Sequence, residues 1–343
     1  MSPSRGTGDM VAGVSSLPMP TARAKSAWGL DQTRLGLSLG GSQTMAHAER
    51  GRGWVQLAES LGLHSVWLPE MHFAPGACSA PLVELAGYAA MTSQLRFGTT
   101  SLLLPLHPPE QIAAEIAALD QISGGRLLVG LGRGFNKKML AAFGVAPASK
   151  RDRFDAALDQ IFSLWSGGNQ TRSGLGTHQQ PHPPLAVAAF GPKGLAQAAR
   201  RGLPYLASPV ETLDQINDNQ DRHRALLPAG SDAPLSIVMR TVFVSEDRGE
   251  LDQVRDALGQ EMNGRREAMP AAVRMALEAP LSERAMIGTE KEVTEQLKSA
   301  YAKIGFDLLI VRPQFAKIAD DVLVRSLVCL ANEVWPSFLD EKD

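Results

Sequence analysis

The chain has 343 residues, 44% hydrophobic and 20% charged, which allows two domains or one large α/β barrel with a sizeable core. Its 34 basic and 36 acidic residues nearly cancel, so charge gives no drive toward nucleic acid or an anionic membrane. No run approaches the roughly 18 consecutive apolar residues of a transmembrane helix, and two cysteines, Cys78 and Cys329, cannot build a disulfide framework, so the chain reads as cytoplasmic.

Residues 1–33 are rich in Ser, Pro, Gly, Thr and Ala, carry no signal-peptide core, and read as a flexible extension. Strand and helix patterns then alternate. Arg34–Leu39 is a short strand, and Thr44–Leu61 has helical spacing through Trp54, Leu57, Ala58 and Leu61. Ser65–Leu68 is a strand, Ala80–Met91 a helix, and Leu95–Leu104 a strand. Pro108–Ile122 is a helix with proline in its first turn, where a missing N–H costs nothing. Arg126–Leu131 is a strand, and Lys150–Trp165 an amphipathic helix. Residues 166–184 form a Gly-, Gln- and Pro-rich excursion with at most a small hairpin. Leu185–Ala189, Pro204–Ala207 and Leu235–Ser245 are strands, followed by helices Pro192–Arg201, Leu213–Leu227 and Glu250–Asn263. A second irregular excursion spans 264–288. Lys291–Lys303 is a helix, Asp307–Val311 the last strand, and Ile318–Val334 the last helix. Short apolar strands alternating with helices predict one (β/α)₈ TIM barrel over 34–343, with insertions.

In such a barrel the chemistry sits at the C-terminal ends of the strands. Gly130-Leu-Gly132-Arg133-Gly134 follows the fourth strand. Its glycines let backbone approach a ligand, and Arg133 offers a fork of donors for phosphate. The other reading is a tight turn whose arginine pairs with a surface carboxylate. The spacing is not a dinucleotide fingerprint. Gly191-Pro192-Lys193-Gly194 opens a helix, where free amides bind anions, or where a lysine is merely solvated. Glu70 and His72 end the second strand. His72 is either a proton-handling group or a ring packed against Phe73. His178 and His182 have no helix to align them on a metal, and no metal site is expected. His-Glu-x-x-His and Walker sequences are absent.

Longer motifs go further. They are Val66-Trp67-Leu68-Pro69-Glu70-Met71-His72-Phe73, Leu104-Pro105 with His107-Pro108, and Leu119-Asp120-Gln121-Ile122-Ser123-Gly124-Gly125-Arg126. Gly132-Arg133-Gly134-Phe135-Asn136-Lys137-Lys138 continues to Phe143-Gly144 and Leu164-Trp165. In this order and spacing the chain resembles the bacterial luciferase-like flavin monooxygenases, most clearly over residues 66–166.

The resemblance implies a (β/α)₈ barrel that takes reduced FMN from a separate flavin reductase. Oxygen would add to it, and the flavin peroxide would oxygenate a small organic substrate. The alternatives are a deazaflavin-dependent oxidoreductase and a non-catalytic flavin-binding accessory subunit. It also implies a homodimer. The family's phosphate arginine falls on Arg133, beside Gly134, and its second phosphate loop on Phe190–Gly194, leaving Gly191, Lys193 and Gly194 as contacts. A non-prolyl cis peptide beneath the flavin falls on Thr100-Ser101, and Glu70 joins the cofactor-binding set. Two positions depart: the luciferase catalytic histidine is Met71, and the reactive cysteine is Gly132. His72 is then the catalytic candidate. Met71, Phe73, Leu106 and Phe135 form an apolar substrate pocket, and residues 264–288 a candidate lid.

Overall fold

The short apolar runs become parallel strands because helices cover their outer faces and side chains fill the space within. The computed structural model describes residues 22–166, 176–265, 271–313, 315 and 317–341. Its strands are β1 (Arg34–Ser38), β2 (Ser65–Leu68), β3 (Arg96–Thr99), β4 (Leu102–Leu103) and β5 (Leu127–Gly132). The rest are β6 (Leu185–Ala188), β7 (Tyr205–Ala207), β8 (Ile237–Val244), β9 (Ala285–Gly288) and β10 (Leu308–Arg312). β10 pairs with both β8 and β1, setting Leu308 opposite Ile237 and Arg34, and this closes the barrel. All eight expected strands are present in it. β4 and β9 are short additions on β5 and β8.

The helices are α1 (Ala22–Trp28), α2 (Met45–Ser60), α3 (Pro81–Ala89), α4 (Pro109–Ile122), α5 (Lys137–Ala142), α6 (Lys150–Ser166) and α7 (Pro192–Ala199). They continue with α8 (Leu213–Ala225), α9 (Arg248–Arg265), α10 (Ala271–Ala276), α11 (Glu290–Ile304), α12 (Asp320–Cys329) and α13 (Trp335–Glu341). By composition, Asp320–Asp340 is long and apolar enough to cross a membrane. Its Leu323, Leu327, Leu330, Val334 and Phe338 are buried in the core, which accounts for that hydropathy.

Inside the barrel, Trp67 lies among Leu128, Ala186, Leu206, Met239 and Ile310. The bulk of the indole demands glycine beside it: a β-carbon on Gly98 would come within 2.1 Å of Trp67 Cε3. The indole N–H donates to Ser65 Oγ at 2.8 Å.

Three expectations change. First, the flexible extension was expected to reach residue 33. Instead α1 folds, and Trp28 and Leu30 are buried in the interior cluster with Trp67. Lys25 pairs with Asp307 at 3.1 Å, and His64 Nε2 meets the Trp28 carbonyl at 3.0 Å. A composition rich in small residues does not reveal two well-placed apolar ones. Residues 1–21 lie outside the described residues. Second, the continuous strand 95–104 is broken between β3 and β4, where the Thr100–Ser101 peptide is cis. Third, the excursion 264–288 contains α10 and β9, and its residues 266–270 lie outside the described residues. β9 is a four-residue strand at the end of a segment that otherwise reads as irregular. In the excursion 166–184, residues 167–175 are likewise outside, while Gln179 is anchored on Asp120 by bonds of 2.8 and 2.7 Å.

Candidate active site

Arg133 follows β5 directly. Its Nη1 donates to Gln197 Oε1 at 2.8 Å and its Nη2 to the Ala188 carbonyl at 3.0 Å. The guanidinium lies over Gly194 in the first turn of α7, and a β-carbon there would meet Nη1 and Nη2 at 2.5 Å. The two sequence-distant glycine motifs thus meet at one point, through Arg133. Lys150, at the start of α6, joins them by donating to the Gly134 carbonyl at 2.7 Å. Burial, and then the neighbouring Arg151, bring Arg133 down to about 10. Burial, Arg133 and Arg151 also lower Lys150.

Three cations therefore converge on one corner of the barrel mouth. Asp155, the nearby carboxylate, is engaged with Gln197 at 2.8 Å and Arg201 at 2.6 Å. Lys193 is exposed on the same helix. The Gly194 and Leu195 amides donate to the Gly191 carbonyl at 2.9 and 3.1 Å. Gly194 thus contributes room for Arg133, and its amide is already bonded, contrary to the expected backbone contact. Sequence reasoning missed Lys150 and Arg151, which stand at a helix start where basic residues are ordinarily solvated.

The cis peptide Thr100–Ser101 lies on the same face of the barrel. Thr100 N–H donates to the Leu68 carbonyl at 2.8 Å, and Glu70 N–H to the Ser101 carbonyl at 3.2 Å. Ser101 explains Gly132: a β-carbon at that position would fall 2.0 Å from Ser101 Oγ. Thr100 Oγ1 is buried and makes no hydrogen bond. An unpartnered hydroxyl at the barrel mouth and a converging cation cluster fit a ligand with a polar ring system and a phosphate, as a flavin mononucleotide is.

Glu70 is wholly enclosed, its side chain 0% exposed. It accepts from His72 Nε2 at 2.8 Å, from His107 Nε2 at 2.9 and 3.0 Å, and from the Leu103 amide at 2.6 Å. Its oxygens are therefore committed to protein donors, and Glu70 holds histidines where a cofactor contact was expected. The His72 ring tilts against Phe143 at 4.7 Å.

The expected pocket divides. Phe73, at φ 58°, is 75% exposed, and Phe135 is 50% exposed. Phe143 and Met45 are also exposed, which makes the rim apolar. Met71 is half-buried. Leu106 is buried in a cluster with Leu103, Met139, Leu140 and Val145, so it supports the rim and does not line an opening. Asn136 Oδ1 caps α5 by accepting the Lys138 and Met139 amides at 2.9 and 3.2 Å, which places that cluster. Burial and Glu84 push the Cys78 thiol well up, so it is inert. Arg240 faces away from the barrel interior, buried against the Glu211 and Arg284 carbonyls. His182 packs on Phe162 and Trp165, at 5.1 and 5.8 Å.

Comparison with known proteins agrees with this architecture. The luciferase-like monooxygenase family profile matches residues 29–308. The oxygenase component of flavin-dependent trigonelline monooxygenase from Acinetobacter baylyi is 26% identical over 336 residues, covering 84% of this chain and 89% of that one. Protein y4wF of Sinorhizobium fredii is 32% identical over 176 residues, 48% of this chain and only 52% of that one. In fold, the oxygenating constituent of 3,6-diketocamphane monooxygenase from Pseudomonas putida, solved with FMN, aligns with a TM-score of 0.74 at 18% identity. That alignment covers 89% of this chain and 98% of the other. The coenzyme F420 dependent tetrahydromethanopterin reductase of Methanopyrus kandleri gives a TM-score of 0.65 at 16% identity, over 90% and 99% of the two chains. With the barrel, the ordered motifs and a profile match over most of its length, the chain belongs to the luciferase-like monooxygenase family of oxidoreductases.

Proposed function

We propose that the chain is the oxygenase of a two-component flavin monooxygenase. In this reading it acts in the cytoplasm as a homodimer, takes reduced FMN from a separate reductase, and uses O₂ to oxygenate a small apolar substrate. The observation that carries the reading is the convergence of Arg133, Lys150 and Arg151 at the start of α7. A relative that is an oxygenase component supports the reductase partner.

Reduced FMN, when bound, supplies two electrons and the centre at which O₂ is activated. The cations and the positive end of α7 hold its phosphate. Thr100 Oγ1 offers a hydrogen bond to a polar edge. Phe73, Phe135 and Phe143 present apolar surface that excludes water and receives an apolar substrate. Met71 carries no proton, so proton handling falls to His72. Its Nε2 is bonded to Glu70, which leaves Nδ1 as the open nitrogen.

The test is titration of the purified chain with photoreduced FMN, followed by rapid mixing with oxygenated buffer. Tight binding and reoxidation much slower than for free reduced FMN support the reading. Binding of a reduced deazaflavin in place of FMN overturns it in favour of hydride transfer. Binding with unaltered reoxidation overturns it in favour of an accessory role. Size-exclusion chromatography with light scattering tests the dimer.

A further inference from the structure

The enclosed carboxylate of Glu70 joins three donors from separate segments. His72 follows β2, Leu103 lies in β4, and His107 follows the turn after β4. An amide N–H can only donate, and an ionised carboxylate can only accept. All the contacts are satisfied together when both imidazoles donate from Nε2. In a neutral ring that donates from Nε2, Nδ1 is the lone-pair nitrogen. His107 Nε2 spans both carboxylate oxygens, at 2.9 and 3.0 Å, and so opposes rotation of the carboxylate. Phe143 closes on the His72 ring at 4.7 Å.

We propose that Glu70 and His107 are positioning residues for His72. Glu70 fixes His72 in the tautomer protonated at Nε2 and presents Nδ1 as the base. His107 keeps Glu70 from turning away. This rests on the reading of His72 as the proton-handling group. It also assigns a use to a histidine that the family motifs brought in only as part of a match.

The test is a set of long-range ¹⁵N–¹H correlation spectra of the full chain, labelled at histidine, without flavin. The samples are the wild type, Glu70→Gln, Glu70→Asp and His107→Asn. The expected wild-type spectrum shows His72 and His107 protonated at Nε2 and bare at Nδ1. Glu70→Gln replaces one acceptor oxygen by an N–H₂ donor, so part or all of His72 moves to the Nδ1-protonated form. Glu70→Asp keeps the wild-type tautomer, because the acceptor chemistry is retained. His107→Asn shifts His72 partway toward the Glu70→Gln pattern.

Wild-type His72 protonated at Nδ1 overturns the proposal, as does an unchanged His72 tautomer in Glu70→Gln. If Glu70→Gln does not fold, His107→Asn decides, and an unmoved His72 resonance there overturns the proposal. The spectra need no turnover, so they stand apart from the functional reading. That reading fails separately if His72→Gln oxygenates substrate as fast as the wild type.

Discussion

The guanidinium of Arg133 occupies the space that any side chain on Gly194 would need, its Nη atoms 2.5 Å from where a β-carbon would stand. Two turns that are 60 residues apart in numbering, at 134 and 194, are joined by that contact. Gly194→Ala is therefore expected to displace Arg133 and weaken FMN binding by about tenfold or more, ~1.4 kcal/mol. Melting temperature should change little, because the clash is with the far end of the flexible Arg133 side chain, which can move aside. Fluorescence titration with FMN measures this; unchanged affinity would remove Arg133 from the phosphate site.

Lys150 gives a second, electrostatic prediction. A charge-assisted hydrogen bond is worth about 1.5–3 kcal/mol, so Lys150→Met should lower FMN affinity by about tenfold or more. Riboflavin, which has no phosphate, should bind equally to both proteins. The variant should also lose part of the salt dependence of FMN binding. Equal losses for FMN and riboflavin would show that Lys150 supports the loop alone.

Trp28 makes a prediction about stability. It is 4% exposed and belongs to the interior cluster with Trp67 and Leu128. Trp28→Ala should cost about 3–5 kcal/mol, read by chemical denaturation, while a flexible tail would show no change. His64, which holds the Trp28 carbonyl, is pushed from 6.5 down to about 4 by burial. The folded state keeps it neutral while the unfolded chain takes a proton. Its contribution is thus present above pH 6.5 and is lost as pH falls through 4, by roughly 3 kcal/mol.

Glu211 acts in the opposite direction. Burial raises it from 4.5 to about 7, although Tyr205, the Ser208 amide and Asn219 donate to it and Arg240 lies nearby. The unfolded chain ionises first as pH rises. The contribution is therefore full below pH 4.5 and is lost as pH rises through 7, again by roughly 3 kcal/mol. Glu211→Gln should flatten that loss, so the variant gains on the wild type between pH 5 and 8. Parallel denaturation curves at the two pH values for both proteins would refute the assignment.

Much of the barrel was legible because parallel strands covered by helices are short apolar runs, and β2 and β5 read as such without ambiguity. Asn136 shows the limit. It caps a six-residue helix that no periodicity over so short a span reveals. Arg133 and Lys193 were visible as charged residues in glycine turns, whereas Lys150 and Arg151 open an ordinary amphipathic helix. Glu70 was visible as a strand-end carboxylate and was assigned outward, to a cofactor. Only the positions of His72, Leu103 and His107 show that it is spent inward.

By itself the sequence determined the eight barrel strands in order, the longer helices between them and the family motifs, because each rests on spacing along a few consecutive residues. It also determined that Met71 cannot move a proton, since that follows from residue type alone. The tertiary structure decided which residues share a place. It put Trp28 inside the barrel, set Arg133 over Gly194, and brought Lys150 to the phosphate corner. The reason is barrel closure: contacts between residues far apart in the chain are set by strand register and shear, which leave no local pattern to read.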